Sequence, residues 1–166
     1  MRTCPQCGYD NPRNAGYCRK CGADSRALPK ERNLEKGGYL GKNYGFLLRE
    51  KIGRGQYSEA WLAEDLKRRR RRVVLKILNI KSGGVKKMAL SLRKTAMILI
   101  PHVHPNLVRC YSFERDETFA FMVMEYVEGP DLETLLKRRK TLTEEEILWA
   151  AREIFTGMAY IHRLGL

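Results

Sequence analysis

Ile52-Gly53-Arg54-Gly55-Gln56-Tyr57-Ser58-Glu59-Ala60-Trp61, followed by Val73-Val74-Leu75-Lys76, is the stretch on which the reading of this chain turns. A glycine-rich turn separates two strand-like runs, and a lysine closes a third apolar run. Gly53 and Gly55 let a backbone lie against phosphate groups where any Cβ would intrude. Lys76 offers phosphate oxygens a compact positive charge. A Gly-x-Gly-x-x-Ser turn alone is equally an ordinary hairpin. The lysine ending a Val-Val-Leu run is what points to a nucleotide triphosphate.

Working outward, Tyr44 to Lys51 and Tyr57 to Ala63 read as strands around the turn, and Val73 to Asn79 as a third. Val85, Met88, Ala89, Leu92, Ala96 and Leu99 recur at helical spacing until Pro101 stops them. Leu107 to Phe113 and Phe119 to Glu125 read as two more strands around the charged turn Glu114 to Glu117. Cys110, inside an apolar run, reads as a buried hydrophobe. Asp131 to Arg139 suggests a short helix. Thr143-Glu144-Glu145-Glu146 is a capping box opening a last helix, with one face at Ile147, Ala151, Ile154, Met158 and Ile161. Five strands with one inserted helix, then two more helices, make an α+β fold.

The first residues obey different rules. Cys4-Pro5-Gln6-Cys7-Gly8 and Cys18-Arg19-Lys20-Cys21-Gly22 are two Cys-x-x-Cys pairs, the spacing of a small zinc site. Two intervening residues let both thiolates of a pair reach one ion, and the following glycine suits a positive φ. Two disulfides are the competing reading, disfavoured by the lack of a secretion signal at Met1-Arg2-Thr3-Cys4. Residues 1–24 resemble a short bacterial zinc ribbon, with Cys4, Cys7, Cys18 and Cys21 as zinc ligands. Residues 25–43, with Pro29 and Gly37-Gly38, read as a linker, with a short helix suggested over Lys30 to Glu35.

The chain has 166 residues and a formal net charge of +13. Lys67-Arg68-Arg69-Arg70-Arg71-Arg72 is an unbroken cationic run, and Lys81 to Arg109 contains no acid. Such charge suits nucleic acid, anionic lipid or an acidic partner; the plainer reading of the run is a solvated hairpin tip. No stretch reaches the roughly 18 to 20 apolar residues of a membrane span, and the expectation is a cytoplasmic protein.

Taken together, residues 44–166 resemble part of a protein kinase of the serine/threonine type, about half of such a domain. The glycine turn is similar to the kinase phosphate loop, with Ser58 in place of its third glycine and Ala60 in place of valine. Val73-Val74-Leu75-Lys76 resembles the third-strand Val-Ala-Ile-Lys motif. His104-Pro105-Asn106-Leu107-Val108 is similar to the segment after the kinase C-helix, and Met122-Val123-Met124-Glu125-Tyr126-Val127-Glu128-Gly129 to a hinge. The resemblance implies a five-stranded antiparallel N-lobe sheet with its C-helix, then the first two C-lobe helices. It implies ATP as ligand: Gly53, Gly55 and Ser58 on the phosphates, Ile52, Ala60 and Val74 over adenine, and Lys76 on the α- and β-phosphates. Met124 would be gatekeeper, with the Glu125 carbonyl and Val127 N–H on the adenine edge.

Two departures temper that expectation. The position matching the C-helix glutamate is Thr95, and no Asp or Glu lies between Asp65 and Glu114 to replace it. His162-Arg163-Leu164-Gly165 is not a His-Arg-Asp loop, and no Asp-Phe-Gly segment occurs. The reading therefore expects a truncated kinase, inactive as this chain alone, with magnesium binding left to a missing lower lobe. A pseudokinase-type regulator and a basic zinc-ribbon nucleic-acid binder are the alternatives.

Overall fold

Alternation of apolar and polar residues between Phe46 and Glu125 builds a twisted antiparallel sheet with one face packed by a helix. The computed structural model describes residues 1–4, 9–22, 34–41, 45–81 and 85–166. Two short strands, β1 (Arg2–Thr3) and β2 (Asp10–Asn11), pair near the N-terminus. They are followed by β3 (Tyr39–Leu40), β4 (Phe46–Arg54), β5 (Ser58–Asp65) and β6 (Arg71–Asn79). Helix α1 (Val85–Leu99) precedes β7 (Cys110–Arg115) and β8 (Phe119–Glu125), and α2 (Leu132–Arg139) and α3 (Glu144–Arg163) close the chain.

The main sheet runs β3-β4-β5-β6-β8-β7. It therefore has six strands, one more than the sequence suggests. The addition is β3, inside the stretch expected to be linker, where Leu40 is fully buried and pairs with Phe46. Gly41 follows directly, with φ +83°, and a Cβ there would lie 2.8 Å from the Phe46 ring. A two-residue strand leaves no period to detect. Most of the expected helix over Lys30 to Glu35 lies outside the described residues.

Strand β6 has two apolar faces, as its sequence Arg-Arg-Val-Val-Leu-Lys-Ile-Leu-Asn demands. Val73, Leu75 and Ile77 join Leu48, Trp61, Phe121 and Val123 in one core, with Phe46 and Phe121 edge-to-face at 5.9 Å. On the other side Leu78, Ala120 and Met122 receive Val85, Ala89 and Ala96 of α1. Cys110 is buried here, and burial pushes its thiol pKa up.

The C-terminal helices carry the caps their sequences announce. Asp131 Oδ1 accepts the Thr134 N–H at 2.7 Å, and Thr143 and Glu146 form a reciprocal capping box. Helix α3 seats on the loop after α1: Asn106 Nδ2 donates to Glu153 Oε2 at 2.5 Å, and His104 stacks on Tyr160 at 4.6 Å. Gly157 is buried at this contact, where a Cβ would lie 3.1 Å from the Asn106 carbonyl oxygen. Away from it, Ile147, Leu148, Trp149, Ile154 and Phe155 are exposed. His162 and Arg163 sit in the last turn of α3, and Gly165 accommodates the helix end at φ +77°. No helix among the described residues is long and apolar enough to cross a membrane.

Candidate nucleotide site

The β4–β5 turn is closed by the Gly55 N–H, which donates to the Ser58 carbonyl at 2.7 Å. Neither Gly53 nor Gly55 takes a positive φ, so what glycine supplies is the missing Cβ. At Gly53 a Cβ would touch only the Ala60 methyl at 3.4 Å, ordinary contact, so internal packing does not demand glycine there. The missing Cβ leaves the backbone at Gly53 open to close approach from outside the chain.

Ladder register assembles the rest. Gly53 lies opposite Ala60, Ala60 opposite Lys76 and Lys76 opposite Met122. The next row on the same face is Leu62, Val74 and Met124. This is the α1 face, since Met122 packs with Ala96 of that helix. Ala60, Val74 and Met124 are half-buried, whereas Ile52, Lys76 and Val127 are exposed around them. A flat, partly dry apolar strip thus lies beside a cation and a glycine turn. Leu62 and Met122 share the strip and were missed in the sequence. Extending the alternation two residues from Ala60 and from Met124 finds both.

The last pair of the β6–β8 ladder is Val73 with Glu125. The Glu125 N–H donates to the Arg109 carbonyl at 2.9 Å, and Glu125 Oε2 accepts the Arg109 N–H at 3.3 Å. Beyond Glu125 the chain leaves the sheet through Tyr126 and Val127.

The profile of the protein kinase domain family matches residues 46–166. The chain belongs to that family. It is 29% identical over 115 residues to a Caenorhabditis elegans protein named cAMP-dependent protein kinase, catalytic subunit-like, covering 69% of this chain and 29% of the relative. It is 32% identical over 133 residues to an Arabidopsis thaliana serine/threonine-protein kinase, covering 79% of this chain and 26% of the relative. Among solved structures it resembles Rad53 1-466 in complex with AMP-PNP, with TM-score 0.59 and 27% identity, covering 74% of this chain and 32% of that one. The chain thus spans under a third of these relatives. The sheet, α1 and the following helices are those of a kinase N-lobe with a few C-lobe helices.

Lys76 is the point where this N-lobe departs from the usual arrangement. Among the described residues it makes no ion pair, and α1 offers half-buried Thr95 and no carboxylate. Glu59, one residue from Ala60 on β5, is engaged elsewhere: Lys51 Nζ at 2.7 Å and Trp61 Nε1 at 2.8 Å donate to it. Partial burial pushes the Glu59 pKa up, but these two hydrogen bonds and the nearby cations hold it below the usual carboxylate range.

A second cluster lies near the N-terminus. The Sγ atoms of Cys4, Cys18 and Cys21 lie within 4.8 Å of one another, and Cys7 is outside the described residues. A tetrahedral zinc with Zn–S of about 2.3 Å sets its sulfurs about 3.8 Å apart. Burial pushes the Cys18 thiol up, but the Cys21 and Lys20 N–H groups, Asn11 and Cys4 bring it down to about 6. Asn11, buried, is fixed by the Arg19 N–H on its Oδ1 at 2.8 Å and points Nδ2 at Cys18 Sγ, 3.5 Å away. Gly22 has the positive φ, +73°, that its place after the cysteine pair suggests, and its N–H donates to the Cys18 carbonyl at 2.9 Å.

The cationic run forms the β5–β6 turn. Arg71 N–H closes on the Arg68 carbonyl at 3.0 Å, with Arg69 and Arg70 at φ +53° and +57°, a type I′ pattern. Its charges are largely engaged within the chain. Arg68 faces Asp65 and Arg70 faces Glu64, while Arg71 lies 3.9 Å over the Tyr111 ring and Arg72 meets Glu128.

Proposed function

We propose that this chain is the ATP-binding portion of a serine/threonine protein kinase, preceded by a structural zinc site. The observation that carries the nucleotide reading is the row Gly53, Ala60, Lys76 beside Val74 and Met124, ending at the Glu125–Val127 segment. Backbone at Gly53, Gly55 and Ser58 would cradle phosphates, and Lys76 would meet the α- and β-phosphates. Ile52, Ala60 and Val74 would cover adenine, with Met124 behind it and the Glu125 carbonyl and Val127 N–H on its edge. With the catalytic segments that full kinases carry, the γ-phosphoryl group would pass to a serine or threonine hydroxyl. These 166 residues contain no His-Arg-Asp or Asp-Phe-Gly segment, so binding, not turnover, is the proper assay.

Calorimetry of the full chain with ATP, with and without magnesium, tests this. Saturable binding that Lys76→Ala weakens at least tenfold supports it; no binding in the unaltered chain sinks it. Lys76 without a carboxylate on α1 also favours a second reading, a pseudokinase-type regulator or scaffold. That reading expects a stoichiometric complex with an intact kinase, and failure to isolate one counts against it. Nucleic-acid binding through Lys67 to Arg72 has less support, because Arg68, Arg70, Arg71 and Arg72 already have partners in the chain.

Cys4, Cys7, Cys18 and Cys21 would hold the zinc, with Asn11 and the Lys20 N–H as outer partners of the Cys18 sulfur. A closed four-thiolate set makes the ion structural and suits a reducing, cytoplasmic setting. One zinc per chain by elemental analysis, lost in Cys18→Ser, is the expected result.

A further inference from the structure

The final arginine of the cationic run has work that the sequence does not announce. The β6–β8 ladder ends at Val73 and Glu125, so residues 126–128 continue without a strand partner. Arg72, just before Val73, reaches across to them. Its Nη1 and Nη2 donate to Glu128 Oε1 and Oε2 at 3.3 and 3.2 Å, a two-pronged pair. The same guanidinium lies 4.9 Å from the centre of the Tyr126 ring. Tyr126 and Glu128 flank Val127, whose N–H is the expected donor to the adenine edge. One planar side chain thus holds the segment on both sides of its functional amide.

We infer that Arg72 is a positioning residue for adenine recognition: it clasps Tyr126 and Glu128 and so sets the Val127 N–H before the base arrives. This rests on the nucleotide reading above. The geometry asks for arginine, because only a fork bonds both carboxylate oxygens while stacking on a ring. Both partners are exposed, with side-chain accessibilities of 53% and 74%, so the clasp is modest in strength and weakens with salt. Its benefit is preorganisation: a segment already held loses less freedom on binding.

Two probes separate this role from phosphate binding in the full chain. Adenosine reports the base contacts, and inorganic tripolyphosphate reports Lys76 and the glycine turn. Arg72→Ala should weaken adenosine about two- to fivefold and leave tripolyphosphate unchanged. Exchange of the backbone amides of residues 126–128 should quicken in the ligand-free variant. Arg72→Lys, which keeps the charge and loses the fork, should restore neither readout.

Unchanged adenosine affinity in Arg72→Ala overturns the inference, as does an equal loss for tripolyphosphate, which would mark a general charge effect. If the unaltered chain binds neither probe, the nucleotide reading itself fails. Faster amide exchange would then reduce Arg72 to a structural tie, and unchanged exchange would remove even that.

Discussion

Two parts of this molecule hold their shape by different physics. In the main sheet, Leu75, Ile77, Phe121 and Val123 are almost wholly removed from water, and order follows from burial. Among the described residues of 1–22 the buried apolar positions are cysteines, Cys4 and Cys18, beside one buried polar residue, Asn11, and the strands are two residues long. So small a region has little apolar area to offset its chain entropy, and the zinc proposed above would supply what burial does not. The lesson is that one perturbation should separate the two parts.

Metal removal should give the largest difference. A structural zinc site contributes on the order of 10 kcal/mol of folding energy. A strong chelator, or Cys18→Ser, should therefore abolish amide protection in residues 1–22 and leave the main sheet's melting transition unmoved. A joint collapse would show that the two parts are one cooperative unit. The converse is Phe121→Ala, which empties the sheet core and should cost about 3 to 5 kcal/mol by denaturant titration, with zinc retention unchanged. Loss of zinc in that variant would again join the parts.

A smaller effect, of opposite sign, is expected at the β5–β6 turn. Arg69 and Arg70 occupy left-handed backbone that costs a non-glycine residue about 1 to 2 kcal/mol. The double variant Arg69→Asn with Arg70→Gly should raise the sheet's Tm by a few degrees without affecting residues 1–22. A lowered Tm would mean the arginines' contacts outweigh the strain. The smallest effect concerns acid. The Thr134 side chain and N–H hold the Asp131 carboxyl low, and Arg139 and then the Thr143 N–H do the same for Glu146. Groups with depressed folded pKa values contribute stability above the ordinary carboxylate pKa of about 4 and lose it as pH falls through the lower folded value. Amide exchange at the starts of α2 and α3 should quicken below about pH 4 while the sheet core stays protected. Unchanged exchange there would show that the caps matter little.

How much of this the sequence disclosed follows the same division. Long strands and α1 were legible because alternation and helical spacing over seven or more residues leave few competing readings: β8 and α1 fall where Phe119 to Glu125 and Val85 to Leu99 placed them. The capping box at Thr143 was legible because it is local. Strand β3 was hidden, since Tyr39 and Leu40 carry no period and Leu40 is buried in a cluster with Phe46 and distant Phe121. The β7 strand begins at Cys110 instead of Leu107, because Leu107 meets α3 at Gly157. Of the candidate site, the glycine turn, Lys76 and the 124–127 segment could be read from order. Leu62, Met122 and the reach of Arg72 to Glu128 needed register across strands.

The most direct test of the account is amide exchange of the zinc-loaded full chain with and without ATP. The expected result is protection at residues 52–60 and 125–127, none added in 1–22, and no such protection in Lys76→Ala. ATP that leaves those two segments unprotected, or protects them equally in Lys76→Ala, would contradict the assignment of this face of the sheet as a nucleotide site.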